Sequence, residues 1–312
     1  MASEKKSITI LGIFAADLAF RATRLPQIGE TLLGQGFAIG PGGKGSNQAV
    51  AAARAGAQVH LITRIGHDLF GELALKTWHD AGIDTQHVQV MEGTSTGAAF
   101  IFVSTETGDN AIIVASGAAV HLSPDDIKAA QSTIGASAVF MVQLEQPLCA
   151  VEEGLRLAHK LGVKTVLNPA PAAPLPDAVY PYCDFITPNE TEAQALTGVA
   201  VKSSDDARRA AEVLLARGAG CVIITLGAQG ALLHDKNQSL LIPAFNVGKV
   251  VDTTGAGDAF NGGFAVALAQ GQTLAACVRF GCAAAGLSVT RAGTAAAMPS
   301  RAEIEGLLAT CD

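Results

Sequence analysis

Along this chain, apolar runs of strand length alternate with segments whose apolar positions recur at helical spacing. "SITILGIF" (7–14) is an almost unbroken apolar run and predicts a buried strand. "SNQAVAAARAG" (46–56) predicts a helix ending at Gly56, and "QVHLITRIG" after it predicts the next strand. Ahead of that helix, "TLLGQGFAIG" (31–40) reads as extended but more polar. "GAAFIFVST" (97–105) and "NAIIVAS" (110–116) flank "ETGD", which is hairpin turn chemistry. "SPDD" (123–126) begins a helix, with a Ser cap, Pro at the first helical position and acids in the first turn. Strand and helix then alternate to about residue 226. This rhythm predicts an α/β fold, a mostly parallel sheet covered on both faces. The pieces at about 15–40 and 95–116 break the rhythm and predict a small antiparallel sheet inserted as a lid. With no repeat and no low-complexity linker, residues 1–312 are expected to form a single domain carrying that lid.

The predicted parallel strands stop in a consistent way. "SAVFMVQLE" ends at Glu145, "KTVLNPAP" at Asn168, "DFITPNETE" at Asn189 and "CVIITLGAQG" at Thr225 and Gly227. Ligands of open α/β sheets bind beyond the carboxyl ends of the strands. Singly, Asn189 reads as a cap for the helix after it and Asn168 as a loop organiser; four polar endings on one edge describe the rim of a cleft.

Composition narrows what the cleft takes. A net charge of −7 argues against nucleic acid as the main partner, since phosphate-backbone binding calls for a basic face. Residues 1–7 form a short polar lead-in without the apolar run of a signal peptide, and no uninterrupted apolar stretch suggests a membrane span. The six cysteines, at 149, 183, 221, 277, 282 and 311, show no CxxC pair and fall mostly in apolar segments. They read as reduced thiols of a cytoplasmic protein rather than as zinc ligands.

Two glycine-rich loops carry candidate chemistry. "GPGGKGSNQ" (40–48) contains Gly40-x-Gly42-x-x-Gly45, formally a dinucleotide fingerprint. The following strand ends in Arg64, with no carboxylate for the ribose hydroxyls, and Lys44 is followed by glycine where a Walker A loop needs Ser or Thr. Lys44 and Asn47 instead offer donors beside a backbone that a polar ligand can approach; the alternative is a glycine turn packing on the sheet. The second loop, "VVDTTGAGDAFNGGF" (250–264), places Gly255, Ala256 and Gly257 at the start of an apolar helix. The amides of a helix N-terminus bind phosphate readily. Asp258 is either a helix-terminal acid or a carboxylate that accepts a proton beside a forming anion.

These residues carry a resemblance. Over nearly its full length the chain resembles the ribokinase-like (PfkB) carbohydrate kinases, through "GGKGSNQAVAAARAGA" (42–57), "QLEQPL" (143–148), "LNPAPA" (167–172), "ITPNETEAQALTG" (186–198), "ITLGAQG" (224–230) and "DTTGAGDAFNGGF" (252–264). The first and last match the family's two signature regions. The resemblance implies a three-layer ribokinase-like sandwich with a mostly parallel central sheet and a β lid that relatives often use to form dimers. It implies ATP as phosphoryl donor, with magnesium and potassium as ions. Asp258 matches the catalytic base, and Gly255, Ala256 and Gly257 the anion hole. Asp17, Gly43, Lys44, Gly45, Asn47 and Glu145 match sugar-holding positions; Asn189, Thr225, Gly227 and Gly230 match the nucleotide side. Glu192, with Asn189, completes the motif linked to magnesium. Asp252, Thr254, Ser288, Arg291 and Gly293 align with a monovalent-cation site.

Three positions depart from the ribokinase pattern. Ala15 stands where ribokinases carry an Asn that contacts ribose, and Phe14 beside it adds bulk. Ala297 replaces a serine that supplies oxygen to potassium, and Cys282 stands where ribokinase has a residue near the adenine. The expectation is an ATP-dependent sugar kinase acting on a primary hydroxyl of ribose or a close relative. A nucleoside, deoxyribose or hexose kinase of the same superfamily is the alternative, with a non-catalytic sugar sensor and an NAD(P) oxidoreductase behind it.

Overall fold

In the computed structural model, residues 7–310 are described. Residues 1–6 of the lead-in 1–7, and Cys311, lie outside them. The strands are β1 (Ile8–Leu11), β2 (Ala15–Ala22), β3 (Gly36–Gly42), β4 (Val59–Gly66), β5 (Asp84–Met91), β6 (Thr96–Ser104) and β7 (Asn110–Gly117). They continue with β8 (Val139–Val142), β9 (Lys164–Leu167), β10 (Phe185–Ile186), β11 (Cys221–Thr225), β12 (Ala231–His234) and β13 (Ser239–Ile242). Nine of them form the central sheet in the order β13-β12-β11-β10-β9-β8-β1-β4-β5. Its pairings are parallel from β5 across to β11, and antiparallel only at β11–β12 and β12–β13.

The apolar runs become central strands because both faces are covered, so alternation has no purpose there. On one face Ile8 and Ile10 pack with the helices Lys44–Arg54, Ala256–Ala269 and Leu274–Ser288. On the other, Leu11, Phe140 and Val142 pack with the helices Leu148–Lys160 and Ser204–Ala216. This is the expected three-layer α/β sandwich. Of the described cysteines, Cys183, Cys221, Cys277 and Cys282 are buried free thiols, whereas Cys149 is exposed.

The run 7–14 is not one strand. β1 ends at Leu11 because the backbone at Gly12 must meet that of Gly45: a Cβ on Gly12 would lie 2.5 Å from the Cα of Gly45. The chain then crosses into the second sheet, where Phe14 turns into the core against Trp78, with ring centroids 5.7 Å apart. Phe14 therefore does not narrow a ligand site.

The second sheet, in the order β3-β2-β6-β7, is built from the two segments that broke the α/β rhythm. It is not wholly antiparallel, because β2 and β6 run parallel. No hairpin joins those two; each follows a strand of the central sheet, β1 and β5, and so they leave in the same direction. The strand register puts Leu18, Phe20, Phe37, Ile39, Phe100 and Ile113 on one face and Asp17 on the other. Phe20 stacks obliquely on Phe37 at 4.7 Å, yet Phe37, Ile39 and Ile113 stay more than half exposed.

Two helices of the first face meet at small residues. A Cβ on Gly262 would lie 2.5 Å from the Cβ of Ala51 and 2.9 Å from the amide nitrogen of Ala52. Gly262 follows Asp258 by one helical turn, as Ala51 and Ala52 follow Asn47 and Gln48.

Candidate active site

Beyond the carboxyl end of β1, the strand β3 delivers Gly42, and Gly43 turns the chain with φ of 87° into the helix Lys44–Arg54. Few side chains tolerate that conformation. Gly45 then seats on Gly12, which fixes the first turn over the end of β1. Here the Lys44 amide donates to Glu145 Oε2 at 2.7 Å. The Asp17 carboxylate lies over Gly42, where a Cβ would come within 2.4 Å of its oxygens.

Across from this turn, Gly255, with φ of 78°, starts the helix Ala256–Ala269. The Ala256 amide donates to Thr253 O at 3.2 Å, while the amides of Gly255, Gly257 and Asp258 have no acceptor among the described residues. So Ala256 contributes a small side chain rather than a free donor. Asp258 is buried but faces the cleft; its Oδ2 accepts from Asn47 Nδ2 at 3.1 Å and its Oδ1 from Gln48 Nε2 at 3.0 Å.

Between these elements lies a cavity of about 160 Å³. Lys44, Asn189, Glu192, Thr225, Gly255, Gly257 and Asp258, all expected site residues, line it together. Asn189 caps its helix by accepting from the Glu192 amide, and Glu192 returns two bonds to Asn189, a reciprocal capping box. Structural and site roles thus coincide at this pair. Gly227 and Gly230 do not line the cavity. They shape the turn after β11, where a Cβ on Gly230 would fall 2.0 Å from Ile242 O. Asn168, Ala170, Thr187 and Asn261 also line the cavity. Asn168 Nδ2 donates to Thr187 O, the Thr187 hydroxyl bonds Asn261 Oδ1, and Asn261 Nδ2 donates to Gly257 O. The polar ending at Asn168 was a signal for these; Thr187 and Asn261 are hidden inside apolar-looking runs.

The electrostatics are crowded. Burial, then the nearby Asp258, raises Asp17 to about 6. Burial raises Glu145 to about 7 against the pull of Lys44. Burial also raises Glu192 and Asp258 above the usual carboxylate range. Burial would lower Lys44, but Asp258, Glu145 and Glu192 outweigh it and hold its ammonium charged. Lys44 thus faces three carboxylates, and a cation accompanying a polyphosphate would offset their repulsion.

Further along, Asp252 joins two loops, its Oδ1 accepting from the Thr254 amide at 2.9 Å and its Oδ2 from the Gly293 amide at 3.0 Å. The Arg291 amide bonds Ser288 O, and the Arg291 guanidinium pairs with Glu303. Among the described residues, the carbonyls of Asp252, Thr254, Arg291 and Gly293 accept no hydrogen bond, a donor set of hard oxygens that fits a monovalent cation. Ala297, buried, adds no hydroxyl to it.

A dinucleotide site at Gly40–Gly45 does not form. β3 belongs to the small sheet rather than to a βαβ unit of the central one, and the Arg64 guanidinium is held by Asp126 at 2.9 Å.

Free amides at a helix start, a buried carboxylate beside them and a lysine across the cleft define an enzyme that moves a charged group onto a small polar acceptor. Residues 5–301 match the pfkB family carbohydrate kinase, and the chain belongs to that family. It is therefore a phosphotransferase acting on an alcohol group. It is 44% identical over 299 residues to the ribokinase of Haemophilus influenzae, covering 96% of this chain and 97% of that protein. To the deoxyribokinase of Salmonella typhi it is 39% identical over 294 residues, covering 94% and 95%. The structure of Arabidopsis thaliana ribokinase complexed with ribose and ATP superposes with a TM-score of 0.92 at 29% identity, covering 97% of this chain and 99% of that one.

Proposed function

We propose that this chain transfers the γ-phosphate of ATP to a primary hydroxyl of ribose or a closely related pentose. The observation that carries the reading is Asp258, buried at the cavity wall beside the unengaged amides of Gly255, Gly257 and Asp258 itself. Asp17, Gly43, Lys44, Gly45, Asn47 and Glu145 enclose the sugar. Asn189, Thr225, Gly227 and Gly230 shape the nucleotide side. Asp258 takes the hydroxyl proton as the sugar oxygen bonds to the γ-phosphorus; the bond from that phosphorus to the β,γ-bridging oxygen breaks, and ADP leaves with its electron pair. The amides and Lys44 steady charge on the transferring group, the kind of positioning and electrostatic stabilisation on which phosphoryl transfer depends.

Among the described residues no three His, Cys, Asp or Glu converge as a metal-ligand set. Magnesium, which takes few protein ligands and the rest from phosphate and water, is compatible with that. Glu192 would hold it, since each oxygen accepts one bond and keeps acceptor capacity. Bound there, it supplies positive charge against the triphosphate. Potassium would rest on the Asp252, Thr254, Ser288, Arg291 and Gly293 loops.

Ala15 favours a second acceptor. It is buried at the start of β2 with no polar group to offer, and a site lacking that amide discriminates less against a sugar lacking the partner hydroxyl. Deoxyribose is that sugar. We read 1–312 as one kinase domain of the cytoplasm, with the small sheet as a lid and a second copy of the chain covering its Phe20 face. The test is ADP release across ribose, deoxyribose, hexoses and adenosine, for wild type and Asp258→Asn. A wild-type rate in the variant overturns the role of Asp258; adenosine as best acceptor overturns the sugar assignment.

A further inference from the structure

Gln48 is wholly buried, which is unusual for an uncharged polar side chain unless its bonds are accounted for. They are. Its Nε2 donates to Asp258 Oδ1 at 3.0 Å and to Asn168 Oδ1 at 3.0 Å, and its Oε1 accepts from Gln143 Nε2 at 2.5 Å. The direction of this chain is not arbitrary. A main-chain carbonyl can only accept, so Thr187 O fixes Asn168 with its Nδ2 outward and its Oδ1 toward Gln48. An ionised Asp258 also only accepts, so both neighbours demand the amino end of Gln48. Gln143, at the end of β8, meets the remaining end and leaves its own Oε1 without a partner.

We propose that Gln48 is the positioning residue for Asp258: it ties the carboxylate to the carboxyl ends of β8 and β9, and thereby sets the oxygen presented to the acceptor hydroxyl. This rests on the reading of Asp258 as the base. Asn47, which donates to the other oxygen, comes from the same helical turn, but it has a buried Oδ1 with no partner and no link to the sheet. Among the described residues, only Gln48 connects the carboxylate to the strand ends by side-chain hydrogen bonds. A carboxylate free to rotate spends less time aligned, and a displacement of about 1 Å can cost on the order of a hundredfold in rate. The donated hydrogen bond also favours the charged form of a carboxylate that burial works against, alongside Lys44 and the Asn47 hydrogen bond, and the Asp258 charge in turn repels Asp17, Glu145 and Glu192.

The test compares Gln48→Met, Gln48→Glu and Asp258→Asn with wild type by kcat, KM for the sugar and the pH profile of kcat. Expected for Gln48→Met is a fall in kcat of about 10- to 100-fold, KM within about threefold, and an acidic limb moved up by about one pH unit. Gln48→Glu, which faces Asp258 with a second acceptor, is expected to move the limb further. An unchanged limb and kcat in both, with Asp258→Asn inactive, overturns the positioning role and leaves the base intact. A wild-type rate in Asp258→Asn overturns both. If Gln48→Met does not fold, Gln143→Met carries the test. It frees the Oε1 end of Gln48 and removes an unpartnered buried oxygen, so a fall in kcat of about 3- to 10-fold with the same direction of limb movement is expected; an unchanged profile refutes the proposal.

Discussion

Replacing Glu145 by Gln is expected to stabilise the protein while impairing it. Burial raises this carboxyl from 4.5 to about 7 in the fold. An acid that holds its proton more tightly folded than unfolded contributes most below pH 4.5, and that contribution is lost as the pH rises towards 7. The interval, at about 1.4 kcal/mol for each pH unit, sets a ceiling of about 3 kcal/mol by which the charge on Glu145 destabilises the fold at pH 8. A Gln keeps the shape and can still accept the Lys44 amide, so it removes the charge cost without opening a cavity. The variant should therefore gain roughly 1–3 kcal/mol over wild type at pH 8 and about a quarter of that at pH 5. Urea unfolding of both proteins at the two pH values measures this, and the sugar KM should rise because Glu145 braces the Lys44 turn that we propose encloses the sugar. An equal gain at both pH values would mean that packing, not ionisation, was changed; no gain at pH 8 would refute the electrostatic account altogether.

Gly42→Ala should leave the melting temperature nearly unchanged, because the atoms nearest its Cβ all belong to the Asp17 carboxylate, which can move, yet raise the sugar KM about tenfold or more as that carboxylate is pushed aside. Gly45→Ala meets backbone instead and should cost about 1–3 kcal/mol of stability, read as a lower urea midpoint. Asp126→Ala leaves the Arg64 guanidinium, which Asp126 holds with both oxygens, without its counter-ion. A loss of about 3–5 kcal/mol is expected in the same assay. Ile113→Glu on the exposed face of the small sheet should shift the sedimentation of the protein from the proposed dimer to a monomer with little change in unfolding; a wild-type sedimentation profile would place any dimer contact elsewhere.

Much of this architecture was legible because burial leaves a plain trace. Strands covered on both faces are continuously apolar, as at Val139–Val142, and helices covered on one face show a stripe. The edge of the cleft was legible for a different reason: polar residues at Glu145, Asn168, Asn189 and Thr225 interrupt apolar runs where the sheet ends. What escaped depends on contacts between distant parts of the chain. Nothing near Gly12 announces Gly45, so the run 7–14 reads as one strand although β1 stops at Leu11 and residues 12–14 carry the chain towards the second sheet. The parallel pairing of β2 with β6 was missed because β6–β7 has a hairpin signal and a parallel pair has none. Nothing in the sequence marks Gln48 beside Asn47, because a glutamine in a helix is usually a surface residue. Asp126 read as a helix-start acid; its grip on Arg64 spans 62 positions.

The seating of Gly262 on Ala51 and Ala52 has a bearing on how this enzyme can vary. Those three residues do not line the cavity, yet their bulk sets the gap between the helix that bears the acid and the helix that bears the lysine turn. A single methyl added there would act as a shim, widening the catalytic gap from one turn below while every reactive group kept its identity. Substitutions that damage turnover should therefore cluster along that seam as well as around the cleft, and an inventory of ligand-touching residues would overlook them.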